Sequence, residues 1–296
     1  MKKNRIAITT GDTLGIGEEI TYKALKALKP DKEQVIIIGK NLGLPYETIE
    51  IDSSDNGKFC YECLEYACNL ALHNQIQGIV TAPVSKEELH KSGYFFSGQT
   101  EILEKLLSQS EKEKAEMLFI ANDLRVMLLT RHISLKDIKL NKDMIIEKIS
   151  RLNKFLKDKC GILYPRIALC ALNPHAGENG ILGNEETDTI IPAVKELNKK
   201  GIFAYGPYSA DALFGKIGKR YLSKDEQEYD AFVAMYHDQG LCPVKAITGD
   251  DSVNTTIGLK VIRTSPPSGT AYDIKGQNIA NPNGMVNAIR LLLKLI

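Results

Sequence analysis

The sequence predicts an α/β protein built as two domains, and three observations point there. Short apolar, β-rich runs alternate with helical patterns along most of the chain, which is the signature of parallel βαβ units with right-handed crossovers. The 296 residues are long for one core and sufficient for two. Three of the apolar runs end in polar segments carrying a histidine, and open parallel sheets build their sites at strand carboxyl ends.

Taken in order, residues 5–10 are β-rich, and the glycine loop that follows, GDTLGIGEEI, opens a helical pattern through Leu28. Strand, glycine loop and helix invite a dinucleotide fingerprint. Ile20 stands where the third glycine belongs, however, and no Lys-Ser/Thr follows for a P-loop. Two readings stay open: a plain tight turn, or an anion at first-turn amides that Glu18 and Glu19 already occupy. Residues 35–39 form a second strand, the cysteine-bearing stretch FCYECLEYACNLALHN a helix, and residues 78–82 a third strand running into Pro83. A short helix follows, then Ser97-Gly98-Gln99-Thr100-Glu101 opens another. Gln99 and Thr100 can clamp a substrate, while position alone favours Ser97 or Thr100 as the helix cap.

Residues 116–121 and 124–130 read as strands joined at Asn122-Asp123, a hairpin that marks a change of sheet direction or a domain edge. A helix spans 141–158 and a strand 166–171, and a Gly-rich loop over 178–183 leads into a helix ending at Lys199. Residues 201–205 are extended, Gly206-Pro207 is a turn, and 210–216 are helical before a charged run over 219–228. The apolar run 231–236 is a buried strand that ends in His237-Asp238-Gln239-Gly240. The last stretch, 250–265, is β-rich, Pro266-Pro267 starts a kinked loop, and 284–296 is an amphipathic closing helix.

Composition narrows the function. Lys and Arg number 38 against 37 Asp and Glu, a net charge of +1, which gives no pull toward nucleic acid or a membrane surface. The start, MKKNRIAITTGD, offers only a six-residue β-like run, and no apolar run reaches spanning length, so the expectation is a soluble cytoplasmic protein. Six cysteines are too sparse for a disulfide framework. Cys60-x-x-Cys63 has no second pair to complete a zinc site and reads, with Cys68, as buried helix positions.

Of the five histidines, His73 and His90 sit in helix patterns. His132, His175 and His237 each end an apolar run. One such histidine alone would be a strand-end group bonding a loop; three together form a ligand set for zinc or a similar divalent ion acting as Lewis acid. Lys245, Asn254 and Arg263 recur at nine-residue intervals after it, cations and an amide suited to a phosphate or carboxylate.

In order along nearly the whole chain, GDTLGIGEEI, TAPVSK, SGQTE, LNPHAGENG, MYHDQGLCPVK and GLKVIRTSPPSGTA resemble the 4-hydroxythreonine-4-phosphate dehydrogenase (PdxA) family and its close phosphosugar-acid relatives. The last three motifs are the specific ones. The resemblance implies an isocitrate/isopropylmalate-dehydrogenase-like fold, two α/β/α domains around a cleft, with the active site at a homodimer interface. On that plan residues 1–122 and 246–296 form a first domain with the cofactor loop, and 123–245 a second with the metal histidines and the dimer contact. His132, His175 and His237 then match divalent-metal ligands (Zn, Mg or Co), and Gln99, Thr100, Lys245, Asn254 and Arg263 match substrate-binding residues. SGTAYDIKGQNIANP resembles the nucleotide loop of the decarboxylating dehydrogenases, which makes Gly269, Thr270, Ala271 and Asn281 the contacts for NAD or NADP.

The implied reaction is oxidation of 4-phosphohydroxy-L-threonine to 2-amino-3-oxo-4-phosphooxybutanoate, which decarboxylates to 3-amino-2-oxopropyl phosphate on the way to pyridoxal 5'-phosphate. In it His237 holds the metal, Asp238 orients an imidazole, and Lys245 and metal-bound water are both candidates for the general base. The sequence departs from the family in having Gln99 before Thr100 where histidine is usual, Thr13-Leu14 for Pro-Ala, and Ser268 where a histidine is common. The chain is also somewhat short for the family. Because Gln99 cannot carry charge, a 4-phosphorylated threonate or erythronate stays open as the substrate. A zinc hydrolase using the same histidines, or a nucleotide-binding module without chemistry, are the readings from other classes.

Overall fold

A computed structural model describes residues 4–111 and 113–296, so the first three residues of the chain's start lie outside it. The elements are β1 (Ile6–Thr9), α1 (Gly17–Leu28), β2 (Val35–Gly39), β3 (Glu47–Glu50), α2 (Asn56–Leu72), β4 (Gly78–Thr81), α3 (Lys86–Lys91) and α4 (Gln99–Leu107). There follow β5 (Glu116–Ala121), β6 (Leu124–Leu128), α5 (Lys142–Asp158), β7 (Arg166–Cys170), α6 (Ile191–Lys199), β8 (Phe203–Tyr208) and α7 (Ala210–Ser223). The last are β9 (Ala231–Ala234), α8 (His237–Thr248), β10 (Val253–Ile257), β11 (Ile262–Ser265) and α9 (Asn283–Leu295). They fall into two compact units, Met1–Ala115 with Asp250–Ile296, and Glu116–Gly249.

In the first unit the strand order is β3-β2-β1-β4-β11-β10, parallel but for β10, which runs antiparallel to β11. β1, β2 and β4 are buried throughout, so their sequences are continuous apolar runs and not alternating ones. The edge strand β3, Glu-Thr-Ile-Glu, was not legible in the sequence; its charged ends keep the open edge from pairing further. One face of the sheet (Ala7, Ile36, Ile38, Ile79) packs on α2 and α4. The other packs on α1 and α9, where Thr264 Oγ1 donates to the Ala288 carbonyl at 2.9 Å.

The second unit orders its strands β5-β6-β9-β7-β8. Leu213, Phe214 and Ile217 of α7 and Leu241 and Val244 of α8 cover one face. α5 and α6 cover the other. α5 is capped by Asn141, whose side chain accepts from Met144 N at 2.8 Å, and it buries Ile145, Ile149, Leu152 and Leu156 along one stripe. Its Lys148 and Arg151 meet the buried Glu116 of β5, each at 2.7 Å.

Four boundaries differ from the sequence reading. The junction between units precedes Glu116 and does not fall at the Asn122 turn, because Leu118↔Met127 through Ala121↔Leu124 tie both hairpin strands into one sheet. The return crossing follows Gly249, since α8 runs to Thr248 within the second unit. Gly206-Pro207 is no turn between elements but a cis peptide inside β8, where its pairing with β7 shifts register. β9 stops at Ala234, and the expected polar strand end is the first turn of α8.

Candidate active site

Arg263 projects from β11 on the face shared with Ile79 and Thr81 of β4, which places its head at the carboxyl edge of the first unit's sheet. It is only 3% exposed. Nε donates to Thr81 Oγ1 at 2.8 Å and Nη2 to Gln99 Oε1 at 3.1 Å. Burial pulls the guanidinium down to about 9, and the nearby Glu101 charge opposes that fall. Gln99 opens α4, and its Nε2 donates to the Ala82 carbonyl at 3.1 Å. α4 is capped by the extended Gly98 with no side-chain bond, so neither Ser97 nor Thr100 serves as its cap; Thr100 is 3% exposed one residue into the helix. Asn254 pairs with Ser265, and Thr256 with Arg263, so Asn254 shares Arg263's face as a diagonal neighbour. Its Oδ1 is buried and has no hydrogen-bond partner among the described residues, so it is able to accept a bond from a ligand. Lys245 lies in the last turn of α8 in the second unit, exposed.

Three chain segments carry the histidines of the second unit. Beyond β6, Leu129 N and Thr130 N still bond the Ala234 and Met235 carbonyls, which leads the chain to His132 beside α8. The His132 and His237 rings lie 5.5 Å apart, centroid to centroid. His237 Nδ1 is 2.6 Å from Asp238 Oδ1, a contact that occupies one ring nitrogen and does not use Nε2. Gln239, which sequence reasoning missed, fixes this corner: its Oε1 accepts from Met235 N at 2.7 Å and its Nε2 donates to the Ala171 carbonyl at 2.8 Å.

His175 stands in a left-handed turn, with φ of 52°, 55°, 77°, 43° and 56° from His175 to Asn179. Glu186, also missed, buckles that turn: Oε1 accepts from Leu172 N and Asn173 N, both at 2.8 Å. Burial raises the Glu186 carboxyl, but the donors of Asn173 and Leu172 together hold it below the ordinary range. Asp211 is held low by Ser209 first, and His175 is near enough to contribute. Two of the three imidazoles are thus adjacent and one is oriented by a carboxylate, a donor set that suits a divalent ion, while no cluster of three such groups is gathered among the described residues. His73 and His90 are satisfied by the Asn69 and Phe96 carbonyls, at 2.8 and 3.0 Å.

The expected nucleotide loop lies on the first glycine loop. Ile16 N donates to the Thr270 carbonyl at 2.9 Å, and a Cβ on Gly15 would come within 2.6 Å of that oxygen, so only glycine allows the approach. Tyr272 OH donates to the buried Asp12 at 2.5 Å, and Lys275 Nζ to the Thr13 carbonyl. Thr13 itself, one of the departures, bonds Asn56 Oδ1 through its N–H and its hydroxyl, at 3.0 and 2.8 Å. Ala271 takes φ of 46°, and Asn281 Oδ1 accepts from Asn283 N at 3.0 Å, starting α9. Gly269 is exposed, and a Cβ on it would meet nothing within 4 Å among the described residues, which leaves room for a ligand along the loop.

Solved structures define the class. A β-decarboxylating dehydrogenase from Thermococcus kodakarensis shares the fold at TM-score 0.57 and 14% identity, over 99% of this chain and 84% of its own. The protein therefore has the α/β architecture of the isocitrate/isopropylmalate dehydrogenases. Within that class, residues 6–292 match the family described as pyridoxal phosphate biosynthetic protein PdxA, and the chain belongs to that family. A 4-hydroxythreonine-4-phosphate dehydrogenase of Klebsiella pneumoniae superposes at TM-score 0.84 and 32% identity, over 99% and 98% of the two chains. One of Sulfurihydrogenibium sp. (strain YO3AOP1) is 37% identical over 98% of each chain, and a D-threonate 4-phosphate dehydrogenase of Pectobacterium atrosepticum 33% identical, also over 98% of each. The chain is thus an oxidoreductase of the dehydrogenase class, which displaces the hydrolase and the binding module. Among the described residues no helix is long and apolar enough to cross a membrane.

Proposed function

We propose that this protein oxidises 4-phosphohydroxy-L-threonine with NAD or NADP and a divalent metal. The product, 2-amino-3-oxo-4-phosphooxybutanoate, is a β-keto acid and loses carbon dioxide to give 3-amino-2-oxopropyl phosphate for pyridoxal 5'-phosphate synthesis. The observation that carries the reading is the buried Arg263, a guanidinium kept out of water at a sheet's carboxyl edge, where an anionic substrate group repays its desolvation.

His132, His175 and His237 would hold the metal, and Gly269, Thr270, Ala271 and Asn281 would border the dinucleotide. The chemistry those groups supply when bound is Lewis acidity toward the substrate hydroxyl and acceptance of a hydride. Arg263, Asn254 and Thr100, all of the first unit, would bind an anionic end of the substrate and orient it, and Lys245 of the second unit is a further candidate cation. Asp238 accepts the Nδ1 proton of His237 and presents Nε2. A homodimer, twice 32.8 kDa, completes the reading and is checked by light scattering.

A second reading, oxidation of 4-phospho-D-threonate, is left open by Gln99 in place of the family's histidine and is supported by the full-length D-threonate 4-phosphate dehydrogenase relatives. One assay decides: NAD and NADP reduction, followed by absorbance, with both substrates side by side, with and without a chelator. Turnover of the amino acid, lost on chelation, supports the first reading, and turnover of the threonate alone the second. Turnover of neither overturns both.

A further inference from the structure

Gln99 uses both ends of its amide on the protein. A guanidinium offers only donors and a peptide carbonyl only an acceptor, so the amide has one allowed orientation: Oε1 to Arg263 Nη2 at 3.1 Å, Nε2 to the Ala82 carbonyl at 3.1 Å. The Ala82 carbonyl is rigidly placed, because Ala82 N is itself bonded to the Thr9 carbonyl at the end of β1. Thr81 Oγ1 fixes Nε of the same guanidinium from β4. Arg263 is therefore held at two of its three nitrogens, by groups on two different elements, with its plane set and its remaining N–H groups directed by that plane.

We infer that Gln99 is a positioning residue: it aims Arg263 at the substrate's anionic end, and it does so through a neutral group whose two bonds do not change with pH. This rests on the reading of Arg263 as an anion receptor. Arg263 is bonded to Gln99, and the charge that acts on Arg263 is Glu101, on the same helix as Gln99. A neutral imidazole at position 99 can make the same two bonds, one nitrogen accepting and one donating. A protonated imidazole has two donors, and one of them would point at the guanidinium. The glutamine thus removes a proton-sensitive step from substrate capture.

The test uses the full-length enzyme and three variants. Gln99→Met keeps the shape and loses both bonds; it raises KM about tenfold with kcat changed far less, as removal of a charge-assisted bond that acts on binding predicts. Gln99→His keeps KM near wild type at neutral pH and raises it toward the Gln99→Met value as pH falls through its imidazole pKa, which the neighbouring guanidinium holds below the ordinary ~6.5, a step wild type lacks. In combination with Arg263→Lys, Gln99→Met adds little further loss, since both act on one contact. Additive losses, an unchanged KM in Gln99→Met, or a Gln99→His profile without that step overturns the inference. Thermal melts establish that each variant is folded, and Gln99→His, which retains both bonds, covers a Gln99→Met that is not. If wild type turns over neither substrate, the proposed function fails separately. Inorganic phosphate titrated by calorimetry then reads Arg263 directly: binding weakened in Gln99→Met sustains the inference, and binding unchanged or absent in wild type overturns it.

Discussion

His237 and Asp238 show how much one neighbouring side chain is worth. The 2.6 Å contact orients the imidazole, but Asp238 is 76% exposed, so water competes for the same proton. Asp238→Ala should weaken zinc or cobalt binding about tenfold, the low end for an orienting carboxylate, and a metal titration checks it; an unchanged affinity would remove Asp238 from the site. The cysteines make the opposite case. Burial pushes the Cys63, Cys68 and Cys170 thiols up to about 12, and the Cys60 thiol up as well, so none is a thiolate at neutral pH. Iodoacetamide on the native protein should label the exposed Cys242 and spare Cys60, Cys63, Cys68 and Cys170 until unfolding. The Cys60-x-x-Cys63 reading needed only helix periodicity and was legible in the sequence. The partners of Gln99 and Arg263 were not, because Thr81 and Ala82 are ordinary strand-end residues until the sheet brings β4 beside β11.

At the scale of the element, α8 was hidden by its own composition. Gly240 and Pro243 both oppose a helix, so His237-Asp238-Gln239-Gly240 read as a strand end. Tertiary packing overrides that preference: a Cβ at Gly240 would approach Leu128 at 2.6 Å and Ala234 at 3.0 Å, so the helix lies close on β6 and β9 only because the residue is glycine. Gly240→Ala should cost about 1–3 kcal/mol by overpacking, measured by denaturant unfolding. The turn carrying His175 stores the converse strain, since Ala176 holds φ of 55° with a Cβ. Ala176→Gly should stabilise the protein by about 1 kcal/mol. Glu186 opposes that strain by bonding both residues that lead into the turn. Its carboxyl titrates below the ordinary range when folded, so its contribution is complete above the unfolded glutamate value near ~4.3 and is lost as pH falls through the depressed folded value. Glu186→Gln should flatten the acid side of the stability profile; a profile as steep as wild type would show that other carboxylates set it.

For the whole molecule, the parallel βαβ plan was legible because β1, β2, β4, β7 and β9 are apolar on both faces and punctuated by glycine or proline. Strand order and the exact junctions were not, since β10 and β11 join the first unit's sheet after the chain has completed the second. The proposed ligands all belong to that second unit: His132 follows β6, His175 follows β7 and His237 follows β9. A metal shared by them would tie three strand ends together in the folded state and not in the unfolded one. At a hundredfold excess over its dissociation constant it should stabilise that state by about 2.7 kcal/mol. Hydrogen exchange gives the idea a location. Added zinc should slow exchange in segments within residues 116–249, around the ends of β6, β7 and β9, and the gain should vanish in His237→Ala and on chelation. Slowing confined to residues 4–111 and 250–296, or retained in His237→Ala, would show that the metal is held elsewhere and that the three histidines are not its ligands.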